Sequence, residues 1–427
     1  MRNSVQSRGG TAAACHNDKE IDQKVNSDHE LHTGNGLTSG LAASLRVRTV
    51  LWRAAVLAMF AVLAAAADAA PIPVPDPPRA EARAYLLEDI NSGRVLAEDD
   101  ADSKIEPASL TKLLTAYIVF SELKAQTVNL DDKVLISTKA WRMPGSRMFI
   151  EPDTRVSVED LIKGMIVQSG NDATVALAEH VAGSEDAFAS LMNHYAETLG
   201  MTHSHFVNST GLPDPQHYTT ARDLSILTRA IIRDFPEYYK WYSVREYTYN
   251  NITQHNRNKL LWSGGNVDGV KTGHTDSAGY CLIASAEEDD MRLISVVIGA
   301  KSEDARARES MKLLNYGFRF FETHRLYGAN TPLTSTKIWK GSADQIPLGV
   351  GSDVYVTIPR NEYKNLKATM DIAAEIVAPV TQGQNLGKVQ VKLGDETVIE
   401  RPLVALRAVE EGDLAQRVAD EIMMFFQ

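Results

Sequence analysis

Three short strings constrain this chain more than anything else in it: Ser109-Leu110-Thr111-Lys112, Ser169-Gly170-Asn171 and Lys271-Thr272-Gly273, in that order. Each alone is commonplace, since strings this short recur by chance in a chain of 427 residues. Together, each in a suitable local pattern, they call for a fold that gathers a helix start, a turn between helices and a strand around one centre. Their residue types are those of an acyl-transfer site.

A serine hydroxyl is a poor nucleophile until a nearby base takes its proton. Ser109 and Lys112 are three apart, so on a helix they share a face and lie within reach. Lys112 is flanked by Thr111, Leu113 and Leu114; burial there disfavours the charged amine and suits it to serve as the base. At a helix start the backbone N–H groups are free and the dipole favours negative charge, so the Ser109 N–H supplies half of an oxyanion hole. In the second string Gly170 permits a tight turn. The Ser169 hydroxyl can then relay a proton to a leaving amine, while the Asn171 amide fixes Lys112 and binds a substrate carbonyl. In the third string the Lys271 ammonium and Thr272 hydroxyl hold a substrate carboxylate. Gly273 lets substrate backbone approach closely, and His274 offers its backbone N–H as the second oxyanion donor.

Local pattern places the strings. Tyr85 to Leu87, a turn at residues 91–93 and Val95-Leu96 read as a hairpin. Ser109 opens a helix with Leu110, Leu113, Leu114 and Tyr117 or Ile118 on one face. Ser157 to Asp160 resembles a capping box ahead of a helix ending at Ser169, and residues 173–181 resume helical. Residues 220–234 form an amphipathic helix stopped by Pro236. Residues 270–273, 280–286 and 292–298 read as strands of one antiparallel sheet, followed by a helix over 304–322. From about residue 327 short alternating segments announce a small all-β domain. Residues 413–427 form a tail helix with Leu414, Val418, Ile422 and Phe425 on one side.

A net charge of -11, without any basic block among aromatics, argues against nucleic acid as a partner. The cysteines are Cys15 and Cys281. Cys281 lies in an apolar run and reads as a small buried hydrophobe. Residues 1–45 are polar and aperiodic and read as either a disordered pre-region or, the favoured reading, untranslated sequence with the true start near Leu45 or Val47. Arg46, Arg48 and Arg53, the apolar residues 54–67 and Ala67-Asp68-Ala69 make residues 46–69 a signal peptide. The apolar stretch is shorter than the roughly 20 residues that cross a bilayer. A Pro-rich linker at 70–80 follows.

The set of strings is the signature of class A β-lactamases and penicillin-binding proteins. Longer strings narrow the resemblance: Pro107 to Lys112, Ser169-Gly170-Asn171-Asp172-Ala173, Asn256-Arg257-Asn258, Val267 to Thr275, Ala278-Gly279-Tyr280 and Gly317 to Glu322. The chain resembles the serine D-Ala-D-Ala carboxypeptidases, low-molecular-mass penicillin-binding proteins of the 5/6 type. The resemblance implies an α/β, penicillin-recognising catalytic domain with an inserted helical block at 81–326, a β-rich domain at 327–409 and a tail helix at 410–427. It implies Ser109 as acyl-ester nucleophile, Lys112 as proton acceptor and Ser169 as relay, with Lys271, Thr272 and Arg257 on the terminal carboxylate. The implied partners are peptidoglycan stem peptide, β-lactam antibiotics and, through the tail, the membrane surface; no cofactor or metal is implied. The implied place is the periplasm, peripherally on the cytoplasmic membrane. Three departures stand out. The edge loop at residues 141–150 looks shorter than the family's, the tail helix is shorter than the family's membrane anchor with an acidic polar face, and residues 1–45 have no family counterpart.

Three rivals compete with this reading. A β-lactamase of class A needs a glutamate that activates the deacylating water, and the E-x-x-L-N string that carries it is missing after Ser169. A D,D-endopeptidase fits the same strings, whereas a non-catalytic scaffold would not retain nucleophile, base and relay. His203 and His205 form H-x-H without accompanying ligands and read as loop residues; no H-E-x-x-H zinc motif occurs.

Overall fold

A computed structural model describes residues 73–426 apart from Gly265. The expected pre-region and signal peptide, and residues 70–72 of the linker, lie outside these residues. The hairpin forms as β1 (Ala84–Asp89) and β2 (Val95–Asp99). The inserted helical block follows: α1 (Lys112–Lys124), α2 (Val158–Val167), α3 (Asn171–Ala182), α4 (Glu185–Leu199) and α5 (Ala221–Asp234). Then come β3 (Val267–Thr275), β4 (Gly279–Glu288), β5 (Met291–Ala300) and α6 (Glu303–Phe320). The five strands make one antiparallel sheet in the order β2-β1-β5-β4-β3.

Period-two alternation explains why the sheet is buried on both faces. On β5, Ile294, Val296 and Ile298 join the core of the helical block. Leu293 and Val297 instead pack with Leu313 and Leu314 of α6. The cap read from sequence is present, with Ser157 Oγ accepting the Asp160 N–H at 3.1 Å, and Thr220 caps α5 in the same way, its Oγ1 accepting the Asp223 N–H at 3.0 Å. α1 is apolar nearly all round and buried along most of its length, as befits the central helix of the block.

One local expectation shifts. Ser109 lies in a 3-10 turn, Ala108–Thr111, and α1 begins only at Lys112. Ala108 has φ +47°, outside the helical region, and a Cβ on the facing Gly211 would meet the Ala108 carbonyl oxygen at 1.7 Å. The crossing of these two backbones tightens the chain. The tightening favours the pairing, because side chains three apart eclipse in a 3-10 turn.

A second shift falls at the end of α6, expected to reach residue 322. Phe321–Tyr327 is instead strand β6, with Phe321 and Thr323 both buried. The later strands are β7 (Pro332–Lys337), β8 (Gln345–Gly349), β9 (Val354–Pro359), β10 (Leu366–Ile372), β11 (Asn385–Leu393) and β12 (Glu396–Ala405). β6 pairs with β9, and the other five form an antiparallel sheet in the order β7-β8-β12-β11-β10. The tail is α7 (Leu414–Phe425), capped by Asp413. Among the described residues no helix is long and apolar enough to cross a membrane.

Candidate active site

The three strings meet. Ser109 is half-buried on its 3-10 turn, and Lys112 Nζ lies 3.0 Å from its Oγ. Lys112 is 1% exposed, and its Nζ donates to the carbonyl of Thr210 at 2.6 Å. Burial first, and the nearby Arg257 charge second, lower the Lys112 pKa to about 7. One N–H is thus committed to Thr210, and the amine is left facing Ser109 in a state it can reach near neutrality.

The loop that carries Thr210 is itself braced. Asn208 Oδ1 accepts the N–H groups of Thr210, Gly211 and Leu212 at 3.2, 2.7 and 3.2 Å. Glu185 accepts from the Ser209 hydroxyl at 2.8 Å. His217 ties the same loop to the first string. Its Nδ1 accepts the Val207 N–H at 3.1 Å, so Nε2 carries the hydrogen and donates to Thr111 Oγ1 at 2.8 Å. Burial pushes the His217 pKa down to about 4 and keeps the ring neutral.

Ser169, with φ +65°, stands in the turn between α2 and α3. Its Oγ accepts from Lys271 Nζ at 2.9 Å, and Lys271 also donates to the Thr272 carbonyl at 2.9 Å. Burial, then the charges of Lys112, Arg257 and Arg306, holds the Lys271 pKa well below the usual lysine value. Lys271 is therefore Ser169's partner as much as a reserve of positive charge. Asn171 does not reach Lys112; its Nδ2 donates to the Pro144 carbonyl at 2.6 Å. Its Oδ1 is buried without a partner among the described residues.

β3 runs beside the turn that carries Ser109. A Cβ on Gly273 would meet the Pro107 carbonyl oxygen at 3.2 Å and the Ala108 Cβ at 3.3 Å, so the residue type sets how near the strand lies. Thr272 is buried. Arg257 is exposed, and its charge is felt by both Lys112 and Lys271. His274 is exposed, with its ring centroid 4.1 Å from that of Tyr280. Cys281 is fully buried, as expected. His205 Nδ1 faces the Gln216 carbonyl at 2.6 Å, and no metal-binding group of His, Cys, Asp or Glu occurs among the described residues.

Sequence reasoning missed three contributors. Thr210 acts through its carbonyl, which no residue type advertises. Arg306 on α6 is buried and donates to the Gly273 carbonyl at 3.2 Å, bracing β3 from behind. Asp172 follows Asn171 with nothing in the sequence to mark a role; it is fully buried and bonds the backbone of the edge loop.

A serine with a buried, neutralisable lysine and a second lysine–serine pair opposite defines an acyl-enzyme hydrolase of the penicillin-recognising class. Residues 72–302 match the family described as D-alanyl-D-alanine carboxypeptidase, and residues 321–411 match the penicillin-binding protein 5 C-terminal domain. D-alanyl-D-alanine carboxypeptidase DacC of Escherichia coli is 47% identical over 82% of this chain and 89% of its own. DacA of the same species is 44% identical over 83% and 90%. Penicillin-binding protein 5 from Haemophilus influenzae superposes with a TM-score of 0.77 at 42% identity, covering 79% of this chain and all of its own. A Listeria monocytogenes penicillin-binding protein in its ampicillin-bound form gives a TM-score of 0.53 at 32% identity, covering 56% of this chain and 100% of its own. The chain belongs to the D-alanyl-D-alanine carboxypeptidase family.

Proposed function

We propose that this enzyme removes the terminal D-Ala from peptidoglycan stem pentapeptides through an acyl-enzyme on Ser109, and that penicillin acylates the same residue. The observation that carries this reading is the buried Lys112 amine 3.0 Å from Ser109 Oγ. As Ser109 Oγ bonds to the penultimate D-Ala carbonyl, its proton passes to Lys112. The N–H groups of Ser109 and His274 receive the oxyanion. Collapse breaks the C–N bond, and the leaving amine takes a proton through Ser169, which Lys271 supports. Water then hydrolyses the ester and regenerates the serine. Incubating the mature protein with a D-Ala-D-Ala-terminated pentapeptide should release D-Ala; an intact peptide would refute the reading.

The terminal carboxylate is assigned to Thr272 and Arg257, with the charge of Lys271 behind them and Gly273 giving clearance. A charged group entering a partly dry site needs charge-assisted partners. Thr272→Val is expected to cut kcat/KM about tenfold, the loss of roughly 1.4 kcal/mol for one such bond, with little change in Tm. Amidated peptides cleaved as fast as free acids would remove this assignment.

The domain division follows the same reading: a catalytic domain at 81–326, a β-rich domain at 327–409 entered by strand β6, and the tail at 410–427. The signal at 46–69 directs export, and the enzyme works in the periplasm, peripherally attached to the cytoplasmic membrane. Support for the attachment comes from how α7 sits. Its acidic side is turned to the β-rich domain: Asp420 accepts the Lys340 N–H at 2.5 Å, and Glu421 pairs with the Lys340 ammonium. Leu414, Val418, Ile422 and Phe425 are left 76, 52, 55 and 86% exposed. Burying such side chains stabilises by about 1.5–3 kcal/mol each, enough for reversible interfacial binding. Detergent should release the protein and high salt should not. Deleting residues 413–427 should make it soluble with activity intact; a truncated protein that still sediments with membranes would exonerate the tail.

A further inference from the structure

The turn that carries Ser169 is tied to the loop at the site's edge through one carboxylate. Asp172 is fully buried. Its Oδ1 accepts the N–H groups of Met148 at 3.0 Å and Ala173 at 2.9 Å, and its Oδ2 those of Phe149 at 2.9 Å and Ile150 at 3.3 Å. Phe149 has φ +68°, the kind of bend that turns successive N–H groups toward one anion. The neighbouring residue completes the tie. The Asn171 N–H donates to the Ser146 carbonyl at 2.7 Å, and Asn171 Nδ2 donates to the Pro144 carbonyl at 2.6 Å.

A carbonyl oxygen can only accept, so Pro144 dictates which end of the Asn171 amide faces the loop. Oδ1 is thereby turned the other way, where it is buried without a partner among the described residues. Two glycines make room for the arrangement. A Cβ on Gly145, at φ +84°, would meet Asn171 Nδ2 at 2.9 Å; one on Gly170 would meet Asp172 Oδ1 at 2.8 Å and the Met148 nitrogen at 3.1 Å.

We propose that Asp172 is a positioning residue for the reaction: by pinning residues 148–150 it holds the Pro144 carbonyl against Asn171 and so fixes the orientation of that amide in the site. This rests on the reading that Asn171 meets substrate. An unaided loop would let the Asn171 amide turn over, and a substrate group misplaced by about 1 Å costs on the order of 100-fold in rate.

The test is a double-mutant cycle on kcat/KM for a D-Ala-D-Ala-terminated pentapeptide. Asp172→Asn keeps the shape but turns an N–H2 group toward N–H donors. It should lower kcat/KM about 100-fold. The double variant Asp172→Asn with Asn171→Ala should be no slower than Asn171→Ala alone, because residues acting through one group are not additive. Additive losses would mean that Asp172 merely supports the fold, and would overturn the proposal. A harmless Asn171→Ala would also overturn it, since nothing would remain for Asp172 to act through; continued D-Ala release would then leave the function itself standing. If Asp172→Asn fails to fold, Gly145→Ala on the exposed loop presses on Asn171 Nδ2 directly. It should show the same non-additivity with Asn171→Ala, and an unchanged rate would overturn the proposal.

Discussion

Ser109→Ala should abolish both D-Ala release and covalent labelling by penicillin, a loss on the order of a millionfold when the nucleophile of a concerted set is removed. Folding should be almost unaffected. Ser109 is half-buried, and among the described residues its hydroxyl bonds to Lys112 Nζ, a bond worth about 1 kcal/mol. Mass spectrometry of the labelled parent protein should place the adduct on the peptide that contains Ser109. The other candidate nucleophiles are poorly placed. Ser169 Oγ is engaged by Lys271 at 2.9 Å. Cys281 is fully buried, and burial pushes its thiol up to about 11, so almost no thiolate exists at neutral pH. An adduct on either residue would sink the assignment.

Much of this site was legible because side-chain identity carries it. The hairpin, the capped helices and the strand of the third string follow from periodicity and cap residues, and the burial of Lys112 from its apolar flanks. Three kinds of feature were not legible. The 3-10 turn at Ser109 depends on Ala108 crossing Gly211, two residues far apart in sequence. The partner of Lys112 is a backbone carbonyl, that of Thr210, and every residue has one. The edge loop is held by an aspartate more than twenty residues away, so neither segment signals the bond alone. The acidic face of the tail was legible but its partner was not: Asp420 accepts the N–H of Lys340, 80 residues away in sequence, and Glu421 pairs with the Lys340 ammonium.

Lys112 should give the enzyme its pH dependence. Its pKa is lowered to about 7, first by burial and second by Arg257, against opposing pulls from Asp172 and Glu185. Only the free amine can accept the Ser109 proton, so acylation should rise as pH increases through about 7 and level off above it. Acylation by a penicillin with no group titrating in that range reads this limb directly. Arg257→Ala removes a positive neighbour, so the Lys112 pKa should rise and the limb should move to higher pH. Lys112→Arg keeps the charge but cannot release its proton, and should lose about 100- to 10,000-fold, the usual contribution of a general base. Stability follows the same shift. The folded pKa lies below the unfolded one, so between about 7 and 10.5 the unfolded chain binds more protons. The cost of burying this ammonium is therefore full below pH 7 and is relieved as pH rises through that window. An acid limb that stays in place in Arg257→Ala, or an active Lys112→Arg, would mean that another group takes the proton.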